Sequence, residues 1–231
     1  MRNKSLSVAP TSQETVWGAI YMAFELLALP GLLNWFNRQM TYPLVDAELN
    51  FIYFLMNFLA ILWIFRDYLG RSAAQVRRRP FDFIQAVILG AVAYFACVWA
   101  MEKLMRLAFP GFTNYNDKAI AALRQGNYFL TLIGTVILVP PVEECFFRGL
   151  IFRNLYGKSR VAAYVVSILA FAVIHIIGYI GAYSPLELLL AVLQYLPAGL
   201  WLAWAYTKSD TVFTPIVIHG LINYIGIYRL R

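Results

Sequence analysis

Seven apolar stretches separated by short polar connections set the pattern of this chain: residues 16–36, 49–65, 83–101, 128–156, 161–180, 186–206 and 212–228. Each is near the ~20 residues a helix needs to cross a hydrocarbon core. Helices are the expected form, because backbone polar groups at that depth must be satisfied without water. The pattern predicts an all-α, polytopic transmembrane helical bundle of about seven (seven to eight) membrane helices. Glu25 and Pro30 interrupt the first stretch, Pro197 marks a kink in the sixth, and residues 116–124 read as an interfacial helix too polar to span. No repeat, low-complexity tract or linker divides residues 1–231, so a single membrane-embedded domain is expected.

Composition agrees with the pattern. The chain is 61% hydrophobic and 13% charged, with mean hydropathy +0.64, about half the charge fraction of a soluble domain. A net charge of +7 would suggest a nucleic-acid partner in a soluble protein. Here the basic residues sit mostly between spans, so they report orientation and no nucleic acid is expected. With the N-terminus cytoplasmic, twelve of the 19 Lys and Arg residues fall on that side, Arg2 and Lys4 among them, and seven on the other. Arg229 and Arg231 then stand on the less basic side, and an eighth element would return the C-terminus. The first 15 residues have no apolar core or small-residue cleavage site, so the first span is the expected targeting signal. Cys97 and Cys145 lie inside apolar stretches and are expected to be unpaired.

Charge inside the spans concentrates in Pro140-Pro141-Val142-Glu143-Glu144-Cys145-Phe146-Phe147-Arg148-Gly149. Ionisable groups at membrane depth are costly and usually functional. Glu144 and Arg148 are spaced i, i+4 for an intrahelical ion pair, which reads first as a structural pair neutralising two charges. Glu143, turned about 100° away, is the freer carboxylate. The two prolines remove backbone donors and loosen the helix beside it. The chain's two histidines each belong to a one-turn pair, Phe171 with His175 and His219 with Asn223. A short connection at 157–160 makes the fourth and fifth stretches antiparallel neighbours. Glu143 and His175 are each about 16 residues from that turn, or ~24 Å, and therefore level. A carboxylate and an imidazole so placed are suited to proton transfer. Glu187 after Pro185 reads as a helix cap, Cys145 as an apolar filler, and Glu25 as a minor candidate without a motif.

Glu143-Glu144-x-x-x-Arg148, Phe171-x-x-x-His175 and His219-x-x-x-Asn223, in that order on three apolar segments, resemble the CPBP family of intramembrane endopeptidases. That family contains the CAAX prenyl endopeptidases of the Ras-converting type and bacterial relatives linked to bacteriocin processing and immunity. The resemblance covers a catalytic core of about 127–228, on the last four apolar stretches, with Cys145 and Lys208-Ser209-Asp210 departing from its commoner residues. It implies that Glu143, assisted by His175, activates a water to attack a peptide carbonyl. His219 and Asn223 would stabilise the oxyanion, with Glu144, Arg148 and Phe171 orienting the site and no metal or other cofactor. The implied partners are the lipid bilayer and a peptide or protein substrate in or at the membrane, possibly C-terminal and CAAX-like, or a leader peptide. The implied setting is multi-pass: the inner membrane in a bacterium, the endoplasmic reticulum in a eukaryote. Two alternatives stay open. Glu143, His175 and His219 are also reasonable zinc ligands, although no His-Glu-x-x-His helix occurs. A non-catalytic scaffold or immunity protein would keep the same fold.

Overall fold

Ten helices and no β-strand make up the described residues, 6–229, of this computed structural model. Arg2, Lys4 and Arg231, used above for orientation, lie outside them. The first apolar stretch is a bent pair, α1 (Ser12–Leu27) and α2 (Leu29–Gln39), meeting at 49°. Pro30 explains the break, since it has no N–H to donate back into α1. Then follow α3 (Asp46–Ile64), α4 (Arg66–Arg78), α5 (Pro80–Ala108) and the polar α6 (Tyr115–Gly126). The core consists of α7 (Tyr128–Tyr156), α8 (Arg160–Ile174), α9 (Pro185–Ser209) and α10 (Phe213–Arg229).

By length and composition α3, α5, α7 and α9 suffice to cross a membrane, and the bent α1–α2 pair makes a fifth span if counted as one. With 15 and 17 residues, α8 and α10 complete the seven apolar stretches. The spans of α3 and α5 are only 17% and 11% buried, so side chains such as Trp63, Ile88 and Val92 face outward as lipid contact requires. The bundle is thus apolar on both its outer and inner surfaces.

Three expectations need correction. The fifth stretch does not continue as a helix to residue 180: α8 stops at Ile174, His175 caps it, and a 3₁₀ turn (Ile177–Tyr179) follows. Gly178 and Gly181, the latter at φ 89°, release the chain toward Pro185 at the start of α9. Residues 66–78, expected to be a basic connection, form α4, whose buried Tyr68, Ser72 and Gln75 share one face. No element among the described residues returns the C-terminus. Arg229 instead pairs with Glu102 near the end of α5, Nη1 to Oε1 3.3 Å, which accounts for a cation at that end. α9 runs unbroken through Pro197.

The opposite end is closed by the N-terminal segment. Leu6 and Val8 are buried against Phe65, Tyr68, Phe152 and Tyr206. Asp210, left-handed at φ 58° where α9 ends, accepts from the Ser7 N–H at 3.0 Å and the Val8 N–H at 3.3 Å. Arg153 at the end of α7 donates to the Leu6 and Val8 carbonyls at 2.9 and 3.0 Å. A second apolar cluster, including Phe147, Phe171, Leu202 and Ile218, backs the charged residues of α7.

Candidate active site

The backbone of α7 prepares the site. It carries π turns at Gly134–Leu138 and Cys145–Phe152, on either side of the α-helical Val139–Glu144. The Val139 N–H bonds back to the Gly134 carbonyl, five residues away. Its usual acceptor, the Thr135 carbonyl, is left free, and the next candidate donor is Pro140, which has no N–H. Asn223 of α10 donates its Nδ2 to that carbonyl at 2.8 Å. The Val136 carbonyl faces the same shortage, since residues 140 and 141 are both proline. Gly220 packs over it so closely that an added Cβ would stand 3.0 Å from the oxygen. The two prolines thus create acceptors that draw α10, and with it His219, against α7.

Glu144 and Arg148 are completely buried and bonded, Arg148 Nη1 donating to Glu144 Oε1 at 3.1 Å. Nη2 of the same arginine reaches the Gly199 carbonyl of α9 at 3.2 Å, and its guanidinium covers the Phe171 ring at 4.8 Å. His219, 3% exposed, places Nδ1 2.9 Å from Glu144 Oε1. The carboxylate accepts, so Nδ1 carries a proton and Nε2 points onward. It points to Glu143, whose Oε2 lies 3.9 Å away.

His175 arrives at the same atom from α8. Its Nδ1 lies 2.7 Å from the Phe171 carbonyl, one of the carbonyls orphaned where α8 ends. A carbonyl only accepts, so this bond puts the proton on Nδ1 and leaves Nε2 a lone-pair acceptor. That Nε2 stands 3.8 Å from Glu143 Oε2, too far for a direct hydrogen bond, and the oxygen has no hydrogen-bond partner among the described residues. Phe171 touches both histidine rings, at centroid distances of 4.8 and 5.6 Å.

Glu143, His175, His219 and Asn223 line one cavity of about 1630 Å³. Glu144 and Arg148 lie behind its wall. Cys145 is buried in the other cluster, with Phe65 and Tyr206, and Glu187 closes a capping box with Ser184 while also accepting from Tyr115. No group of three or more His, Cys, Asp or Glu side chains able to hold a metal ion occurs among the described residues. Two cavity residues escaped the sequence reading. Tyr195 of α9 stacks on His175, centroids 4.3 Å apart at 26°. Tyr53 of α3 donates its hydroxyl to Glu25. Both are aromatic residues within apolar runs and carry no signal of their own.

Residues 125–225 match the family model of the type II CAAX prenyl endopeptidases, Rce1-like. No curated protein and no solved structure matches the chain.

Proposed function

We propose, from the membership of residues 125–225 in the Rce1-like family of type II CAAX prenyl endopeptidases, that this chain is a glutamic-type intramembrane endopeptidase acting on a membrane-associated peptide. The observation that supports this most is the convergence of two histidine Nε2 atoms on Oε2 of Glu143, a buried oxygen with no hydrogen-bond partner among the described residues, in a cavity within an apolar bundle. Glu143 Oε2 and His175 Nε2 are both acceptors, so a water between them donates one hydrogen to each and aims its lone pair at a carbonyl carbon. Attack forms the new C–O bond as the water's proton passes to the Glu143–His175 pair. Collapse of the tetrahedral intermediate breaks the C–N bond and returns that proton to the leaving nitrogen.

The oxyanion is met by donors fixed in advance. Asn223 spends one amide hydrogen on Thr135 and keeps the other. His219, held at Nδ1 by the Glu144 carboxylate, directs Nε2 toward the same space and donates from it in the doubly protonated form. Arg148 holds Glu144 in position. The substrate suggested by the family is a C-terminal CAAX-like segment, and a leader-type peptide uses the same chemistry. This mechanism needs no metal, so activity that persists under strong chelation is expected, and zinc-dependent turnover would replace it. Cleavage of a model peptide is the direct test. Glu143→Ala and His175→Ala should each lower kcat by roughly 10²–10⁴-fold. Near-normal turnover in either sinks the mechanism. A correctly inserted Glu143→Gln protein that keeps the biological activity would point to a scaffold.

A further inference from the structure

Glu25 belongs neither to this machinery nor to residues 125–225, yet it lines the same cavity as Glu143. It stands near the end of α1, just ahead of the bend into α2. Its Oε1 accepts the Tyr53 hydroxyl from α3. One turn along α3, Asn57 accepts the Tyr21 hydroxyl of α1 at 2.7 Å. Two rungs of the same kind therefore tie α1 to α3, each a tyrosine hydroxyl given to a side-chain oxygen. A neutral amide serves one rung. The other uses a carboxylate, which accepts no better in geometry and brings charge to membrane depth.

The remaining charges around the cavity are accounted for. Glu144 has Arg148 and His219. Arg106 and Arg229, the two guanidinium groups of the lining, are both taken by Glu102, at 3.0 and 3.3 Å. Asp46 and Asp117 sit in the first turns of α3 and α6, where the helix dipole suits a carboxylate. Glu25 lies in no first turn and has no cationic partner among the described residues. In a chain of net charge +7, the catalytic cavity thus keeps an unmatched acid beside its base.

We infer that Glu25, held by Tyr53, is a subsite for a positively charged side chain of the substrate, a lysine or arginine close to the scissile bond. This rests on the endopeptidase reading above. Tyr53 fixes one carboxylate oxygen and leaves the other to accept from an ammonium or guanidinium group, and the substrate cation replaces lost hydration with a counter-charge.

The test uses a peptide library in detergent micelles in which each position near the cut is lysine or the uncharged norleucine, with products read by mass spectrometry. Wild-type protein should cut lysine peptides at one position with kcat/KM about tenfold above their norleucine counterparts. Glu25→Gln, which keeps an acceptor for Tyr53, should remove that preference by raising KM for lysine peptides while norleucine peptides are cut as before. No lysine preference in the wild type, or an equal loss on both peptide sets in Glu25→Gln, overturns the subsite. Binding of fluorescent lysine and norleucine peptides to Glu143→Ala protein, read by anisotropy, needs no turnover and separates the two proposals. Lysine-selective binding abolished by adding Glu25→Gln supports the subsite even where no peptide is cleaved and the endopeptidase reading fails. Unselective binding overturns it.

Discussion

His175 caps a helix instead of sitting inside one. Two neighbours set its ring: the Phe171 carbonyl fixes Nδ1, and Tyr195 lies flat against one face. The Tyr195 hydroxyl in turn reaches Asn114 Oδ1 at 3.5 Å, a long contact that contributes little beside the stack. On the proposed mechanism, Tyr195→Leu should therefore lower kcat about 10- to 100-fold with KM within about threefold, since misplacing His175 would cost rate more than binding. Tyr195→Phe should retain nearly full activity, and steady-state kinetics on both variants check the pair. The buried Glu144–Arg148 pair follows a different rule. Arg148→Ala leaves a carboxylate with His219 as its only remaining partner, and should cost about 3–5 kcal/mol in thermal or denaturant unfolding. Glu143, Glu144, Arg148, His175, His219 and Asn223 were legible because each interrupts an apolar run. Tyr195 and Tyr53 were not, because their partners lie 20 and 28 residues away and an aromatic in a span reads equally as a lipid-facing residue.

At the scale of the helix, α7 shows why chemistry and irregularity occur together. Pro140 and Pro141 announced a loosened helix in the sequence. What they withheld was the sequel, that the carbonyls they strand become the docking points of another helix. Those carbonyls belong to residues 135 and 136, and the groups that meet them, Asn223 and Gly220, are more than 80 residues further on. Gly220→Ala should push α10 away from the Val136 oxygen, costing about 1–3 kcal/mol in thermal unfolding. Activity should fall more steeply than stability, because His219 is the adjacent residue. α8 illustrates the opposite failure of foresight. Its apolar run continues past His175, so hydropathy alone extends the helix to residue 180, whereas the helix stops at Ile174 and leaves the Phe171 carbonyl to the imidazole. The level of Glu143 and His175, judged from the 157–160 turn, needed only helix geometry and agrees with their 3.8 Å separation.

Across the whole molecule, the two ends of the bundle behave differently. At the end holding α6, Asp117 is exposed by surface area yet stands in the cavity wall, and the protein around its carboxyl, with Glu102 as a smaller cause, pushes it up to about 6. A carboxyl raised in the folded state binds its proton more tightly there. Its contribution to stability is therefore full below 3.8 and lost as pH rises through about 6. Melting temperatures of wild type and Asp117→Asn across that range should diverge, the wild type losing stability as pH rises while the variant stays level. At the other end, Asp210 clasps the Ser7 and Val8 amides across more than 200 residues. Nothing in the local sequence marks that bond, since both partners read as ordinary loop residues. Asp210→Ala strands those two amides and should speed hydrogen exchange at Ser7 and Val8, an outcome visible by mass spectrometry of the exchanged protein. The clasp also bears on how the protein is made. The segment around Ser7 leaves the ribosome long before its acceptor, which is synthesised only after α9 is complete. A nascent chain halted before residue 210 has Arg153 to hold that segment but lacks the Asp210 clasp, so full sealing of this end is a late event in biogenesis.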